Sequence, residues 1–423
     1  MADGPRLLPP QDDLPPEAEP LVVMHRFRTE DLFDRLAGAG RLDRALMQET
    51  GVRVAAMHRA APERDRPQPL LSLARSEASE LREGAALIGE AAGRLAGAVE
   101  AEAEARAGLA GTRPMRRCHG DLHLRNLVLW RGAPAAFDCI DFTEAENFVW
   151  IDPLYDLAFL LMDLSHRGLA ALRPAVLSAW AEEMAAGPGA RVDLAYGGLG
   201  LLPLHEALRA GIRAKIAGLA AASAEGETCA AKAAEGAEYA ALGLRRLAER
   251  PRPRVIAVGG RSGTGKTTLA RGLAEHAGAV VLRSDRLRKG LAGVAETDRL
   301  PPESYTPESA RAVYDAMQAR ARMILAGGHP VILDAAHLEA GERAGAARLA
   351  EEAGVPFDGI WLEGDPDILA ARIRARERDA SDATPAVLER QLGRDVGPLD
   401  WAVVDADGAP DDALAAALAA LDP

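Results

Sequence analysis

Apolar residues recur at helical spacing over roughly 30–110 and again from about 153 to 249. Beyond residue 254 the pattern changes, and short apolar runs alternate with helical stretches. The runs at 255–258, 279–282, 330–333, 359–362 and 401–404 have strand length. Several helices between them have legible starts. Thr306-Pro307, Asp365-Pro366 and Thr384-Pro385 each pair an N-cap side chain with a proline at the first helical position, where no N–H is needed. Leu414, Leu418 and Leu421 share one face of a last helix. Strands and helices alternating through short links predict a parallel sheet of about five strands, covered on both sides. Nearer the start, 21–27 reads as a strand and 115–142 as a strand–loop–strand block. Residues 1–20, rich in proline and acids, read as a disordered or ragged lead segment. Pro251-Arg-Pro253 stops the preceding helix and stiffens the link. The expected division is therefore a mainly helical part, 21–250, and an α/β part, 254–423.

Length supports that division, because 423 residues exceed one ordinary domain. A hydrophobic fraction of 48% is enough for sizeable cores. The net charge of −13 argues against a broad nucleic-acid surface while leaving room for a local basic pocket. Only Lys215, Lys232, Lys266 and Lys289 are lysines, in an Ala- and Arg-rich chain that reads as the product of a GC-rich genome. Cys118, Cys139 and Cys229 have neither paired nor metal-like spacing and fit reduced thiols in a cytoplasmic protein. The first residues lack a signal-peptide core, and no apolar run reaches the ~18 residues of a membrane span.

The most informative stretch is Val255-Ile-Ala-Val-Gly-Gly-Arg-Ser-Gly-Thr-Gly-Lys-Thr-Thr268. Gly260, Gly265, Lys266 and Thr267 satisfy G-x-x-x-x-G-K-[ST] between an apolar run and a helical pattern, the setting of a phosphate-cradling loop. Ser262, Gly263, Thr264 and Thr268 complete the expected nucleotide contacts. Lys266 would reach the β/γ-phosphates, and the Thr267 hydroxyl would ligate Mg²⁺. Three features follow. Asp285, in a segment that ends an expected strand, can accept a proton from a substrate hydroxyl, and Arg288 can hold a polar or anionic acceptor. A surface salt-bridge cluster is the alternative. Asp334 ends another apolar run, as suits an acid supporting the Mg²⁺ shell, with an N-cap as the alternative. His337 nearby reads equally well as a satisfied or an exposed histidine. Arg372, Arg374, Arg376 and Arg378 end a helix before a small polar loop. They can close over a γ-phosphate and offset transition-state charge, or form a solvated helix end.

In this order the motifs resemble those of compact P-loop kinases, the gluconate- and shikimate-kinase-like, polynucleotide-kinase-like and zeta-toxin-like group. The resemblance implies transfer of a phosphoryl group from ATP, with Mg²⁺, to a hydroxyl. It also implies Asp285 as base and a mobile lid carrying Arg372 and Arg376. It leaves the acceptor open, since such kinases act on sugars, nucleic-acid ends and antibiotics.

The earlier half carries Cys118-His-Gly-Asp-Leu-His-Leu-Arg-Asn126. His119, Asp121 and Asn126 follow the catalytic-loop logic of protein-kinase-like enzymes, with Asp121 orienting a hydroxyl and Asn126 ligating Mg²⁺. A strand is expected over 136–142, with Asp141 as the second metal-binding acid and Asp138 as its competitor. Asp156 suits bracing of the loop rather than substrate contact. This half resembles the aminoglycoside-phosphotransferase/choline-kinase-like family, as the large lobe of a kinase. The whole chain after residue 20 resembles bacterial two-domain proteins described as bifunctional aminoglycoside phosphotransferase/ATP-binding proteins. One departure is that no lysine precedes Lys215 and no glycine-rich hairpin precedes 21–27, so the small lobe is expected to be largely missing. Arginine's rigid fork does not replace that lysine.

The expected function is ATP-dependent phosphorylation of a hydroxyl-bearing small molecule in the C-terminal half. The other half would select substrate or regulate, its own site vestigial or idle. An ATP-gated regulatory protein without an acceptor, and a polynucleotide 5′-hydroxyl kinase, are the alternatives.

Overall fold

A computed structural model of the chain describes residues 25–111, 113–139, 149–187, 190–249, 251–294, 298–301, 304–375 and 381–421. The first part is mainly helical: α1 (Phe33–Gly38), α2 (Arg44–Ala60), α3 (Leu70–Ile88), α4 (Glu90–Ala110), α5 (Pro153–His166), α6 (Arg173–Met184), α7 (Val192–Tyr196), α8 (Leu202–Ala222) and α9 (Gly226–Ala248). Two small antiparallel sheets accompany them. One has the order β1 (Glu63–Pro67), β2 (Pro114–Arg117), β5 (Trp150–Ile151), and the other pairs β3 (Leu127–Trp130) with β4 (Ala133–Ala136). Every residue of α5 from Pro153 to Leu164 is buried, so α5 is enclosed on all sides and forms the centre of this part. Its start is fixed by Asp152, which caps the Leu154 N–H and pairs with the buried Arg113. Helices α3, α4, α8 and α9 pack around Leu81, Leu95, Val99 and Leu208.

The second part opens with β6 (Val255–Gly260), followed by α10 (Lys266–Ala277), β7 (Val280–Arg283), α11 (Ser284–Ala292), α12 (Pro307–Ala326), β8 (Val331–Asp334) and α13 (Ala340–Ala353). It continues through β9 (Phe357–Glu363), α14 (Pro366–Ala375), α15 (Pro385–Leu392), β10 (Ala402–Asp405) and α16 (Pro410–Ala420). The five strands run in the order β10-β9-β6-β8-β7, each pair parallel. All six residues of β6 are buried, as expected for the central strand of a sheet covered on both faces. The chain winds from β6 out to β7, back to β8, and then to β9 on the opposite side of β6. That reversal makes the carboxyl end of β6 the ligand crevice.

Two expected strands differ. The residues of 21–27 that lie within the described set, His25 to Phe27, have no regular structure. They pack instead, with His25 stacked on Trp130 and Phe27 against Phe137. The strand expected over 136–142 stops at Ala136. The Phe137 N–H still bonds to the Asn126 carbonyl, but the Phe137 carbonyl accepts from His119, and Asp138 turns to φ +59°. Strand β1 interrupts the expected helical region because its partner β2 lies far along the chain.

The two parts meet along a continuous apolar core that joins Phe33, Leu160, Trp180 and Leu202 to Val280, Leu282, Met317 and Trp361. Polar contacts line the seam. Arg44 pairs with Glu275, Arg320 donates to the Ala185 carbonyl at 3.2 Å, and His329 Nε2 donates to the Leu199 carbonyl at 3.2 Å. Gly200 and Gly327 touch backbone to backbone. A Cβ on Gly327 would sit 3.0 Å from the Gly200 nitrogen.

Candidate active site

Residues 260–267 turn from β6 into α10. Gly260 (φ +137°) has no room for a side chain, since a Cβ there would lie 2.5 Å from the Leu362 carbonyl oxygen. Gly265 caps α10 at φ +84°, and a Cβ there would meet open space, so its need for glycine is torsional. The buried Thr264 folds its hydroxyl onto the Arg261 carbonyl at 2.9 Å. Lys266 Nζ donates to the same carbonyl at 2.8 Å, spanning its own loop. The Ser262 N–H is held at 2.8 Å by the Gln391 side chain of α15. Thr268 is exposed in the first turn of α10.

The Thr267 hydroxyl donates to Asp334 Oδ2 at 2.7 Å, joining the end of the phosphate loop to the end of β8. Asp334 is buried. Burial pushes its carboxyl pKa upward, and Arg283, Thr267 and Lys266 only partly offset this. Two oxygen donors at the crevice suit a hard cation such as Mg²⁺, whose charge would favour the ionised form of Asp334. Asp285 sits in the first turn of α11, two residues after Arg283, which is the strand partner of Asp334 across β7 and β8. Arg288, one turn on, donates to the Ser309 hydroxyl at 3.3 Å and lies 5.0 Å over the Tyr305 ring. His337 is a core residue: buried, flanked by Tyr314 and Trp401, with burial lowering its pKa to about 3.

The expected lid divides. Arg372 Nη1 and Nη2 donate to the carbonyls of Ala406, Asp407 and Gly408 beyond β10, so a phosphate contact would require those bonds to break. Arg374 is exposed on α14, while Arg376, Arg378 and Asp141 lie outside the described residues. Beyond the arginines, Asp382 accepts from Lys289 Nζ at 3.1 Å, from the Leu300 N–H at 3.1 Å and from the Tyr305 hydroxyl at 2.6 Å.

In the helical part, the loop from His119 to Asn126 is assembled around a buried acid. Asp156 accepts the N–H groups of His119 and Gly120 at 3.1 and 2.9 Å, and also His58 Nε2 at 3.0 Å. Trp180 donates to His58 Nδ1, so both imidazole nitrogens are committed. The His58, Cys118 and Asp156 donors cluster within 4.8 Å, but they form a brace rather than a cation site. Asn126 Nδ2 donates to the Asp121 carboxylate at 2.9 Å, which leaves its own oxygen as a metal donor. Burial raises the Asp121 pKa, but hydrogen bonds from His123 and Asn126 with the Arg209 charge outweigh it, and the net shift is downward. Asp138 is exposed beside this loop.

Sequence reasoning did not find Glu182, Gln391 or Asp382. Lys289 offered one signal: it is among four lysines in an arginine-rich chain, and it is buried.

The fold and loops define a kinase-like phosphotransferase part fused to a P-loop kinase part. The family described as "Phosphotransferase enzyme family" matches residues 4–191, and that described as "AAA domain" matches 255–396. An uncharacterized protein of Mycobacterium tuberculosis is 30% identical over 400 residues, spanning 91% of this chain and 76% of that protein. The chain belongs to the family of that mycobacterial protein. An adenylyl-sulfate kinase of Myxococcus xanthus is 36% identical over 120 residues, 27% of this chain and 59% of that protein. A gluconokinase structure from Sinorhizobium meliloti is 24% identical, covering 40% of this chain and 93% of its own, at a TM-score of 0.31. The fold assignment rests on strand order and the phosphate loop, not on that likeness.

Proposed function

We propose that the C-terminal site transfers the γ-phosphoryl group of ATP to a hydroxyl of a small molecule. The observation that supports this is the Thr267–Asp334 pair at the crevice end of the sheet, with Asp285 opening α11 two residues after Arg283, the strand partner of Asp334. In this reading the loop from Gly260 to Thr267 holds the phosphates, and Thr267 with Asp334 holds Mg²⁺. Mg²⁺ there would offset phosphate charge. Asp285 takes the proton of the acceptor hydroxyl, and Arg288 orients the acceptor. Lid arginines beyond α14, Arg376 among them, offset charge on the transferring group. The helical part is assigned to acceptor selection or regulation, and the free cysteines suit a cytoplasmic setting.

A small acceptor is favoured over a polynucleotide because the cations near Asp285 are engaged. Arg286 is held by Glu182, Arg283 lies 3.6 Å from Asp334, and Lys289 is held by Asp382. A phosphate track would need them outward.

An acceptor screen read by ADP release tests this. Lys266→Ala is expected to lose at least about 100-fold in turnover. Asp285→Asn is expected to lose roughly 100-fold or more in acceptor-dependent turnover. Asp121→Ala is expected to leave turnover intact. Unchanged turnover in Asp285→Asn would sink the kinase reading, and loss in a folded Asp121→Ala would move the chemistry to the other half.

A further inference from the structure

Strand β7 is the edge of the parallel sheet, and α6 of the helical part lies along it. The Val280 N–H bonds inward to the Pro330 carbonyl, so the alternate N–H groups of Val281 and Arg283 face outward. Both are received by α6: Ser178 Oγ accepts from Val281 at 3.0 Å, and Glu182 Oε1 accepts from Arg283 at 3.2 Å. The match is geometric. Four residues of helix advance about 6 Å and two residues of strand about 6.6 Å, so an i, i+4 pair on α6 meets an i, i+2 pair on β7.

Glu182 does more than cap. Its second oxygen accepts Arg286 Nη1 at 2.7 Å, and the side chain is buried. A neutral acceptor such as Ser178 satisfies an edge N–H, whereas the buried Glu182 carboxylate satisfies one and also holds the Arg286 guanidinium. Arg283 extends the connection, with Nε 3.6 Å from the Asp334 carboxylate that holds the Thr267 hydroxyl. Arg286 directly follows Asp285. One carboxylate from the helical part thus brackets the base and, through Arg283, touches the metal acid.

We propose that Glu182 is a positioning residue for phosphoryl transfer: it sets Asp285 and, through Arg283, Asp334. The helical part is then a working component of the C-terminal site. This rests on the kinase reading above.

The test uses the full chain with Glu182→Ala, Glu182→Gln, Ser178→Ala and, as reference, Lys266→Ala. The readouts are kcat, KM for ATP and the Mg²⁺ requirement of ADP release, with amide exchange of 280–288 against 255–270. Turnover is measured with the acceptor from the screen or, without one, as basal ATP hydrolysis. Glu182→Ala is expected to lower kcat about tenfold or more and to raise the Mg²⁺ needed for half-maximal rate. KM for ATP stays within about threefold, because the phosphate loop hangs from β6. Exchange quickens at 281–286 and not at 255–270. Glu182→Gln keeps the acceptor for Arg283 but not the charge, and falls between. Ser178→Ala loses protection at Val281 with kcat kept. Wild-type kcat and Mg²⁺ requirement in both Glu182 variants overturn the proposal; if Glu182→Ala does not fold, Glu182→Gln decides. If Lys266→Ala turns over normally, the kinase reading falls and this proposal with it. If Lys266→Ala is dead and the Glu182 variants are normal, only the proposal falls.

Discussion

Three buried histidines are kept neutral by their surroundings. Burial lowers His205 and His329 to about 4 and His337 to about 3. An unfolded histidine titrates near ~6.5. Between that pH and about 4, the unfolded chain binds protons that the folded chain refuses. Stability is therefore fully present above ~6.5 and falls as pH drops through this window, by roughly 1.4 kcal/mol per pH unit for each histidine. The melting temperature is expected to fall as pH drops from ~6.5 to pH 5. His329→Gln, which keeps a donor for the Leu199 carbonyl, should flatten that slope, read by thermal unfolding across pH. Legibility at this scale tracks locality. Lys266 and Thr267 stand in one contiguous motif, and Asp334 ends an apolar run, so their types and order sufficed. Gln391 and Asp382 act on partners 129 and 93 residues away, and nothing beside them in sequence marks the pairing. Arg372 shows the reverse: its position at a helix end was plain, but its three carbonyl partners come from a loop more than thirty residues on.

The segment after α14 is tied to α11 by Asp382. Its three donors come from α11, from Leu300 and from Tyr305, so one carboxylate joins three separate stretches of chain. Asp382→Ala takes a partner from the buried Lys289 ammonium, a loss in the range of ~3 kcal/mol for a buried pair and less for this partly exposed one. The expected outcome is a lower melting temperature and a raised KM for the acceptor, with nucleotide affinity nearly unchanged, measured by calorimetry and steady-state kinetics. The five parallel strands were legible because burial on both faces makes them continuous apolar runs. Strand β1 was not, because Glu63-Arg-Asp-Arg-Pro67 is charged and mostly exposed, and only pairing with β2 makes it a strand. The strand expected over 136–142 ended early for a related reason: His119 claims the Phe137 carbonyl that a ladder would have used.

Across the whole molecule, the apolar core does not stop at Pro251-Arg-Pro253. Trp180 and Leu202 belong to the same cluster as Val280 and Trp361, and the edge of the sheet is closed by α6. The full chain is expected to unfold in a single calorimetric transition. Residues 251–423 expressed alone would present the outward N–H groups of β7 and the apolar side chains around them. They are expected to associate or melt well below the full chain, checked by size exclusion and thermal unfolding. Two separable transitions with an unshifted, monomeric C-terminal fragment would contradict this. The proline junction and the change of pattern were visible in sequence, but the seam was not, because its residues look like ordinary core positions on each side.

The contact of Gly200 with Gly327 leaves no room for a side chain at position 327. A methyl group there would lie 3.0 Å from the Gly200 nitrogen and would have to wedge the two parts apart. A single added carbon at this point would therefore load the whole seam.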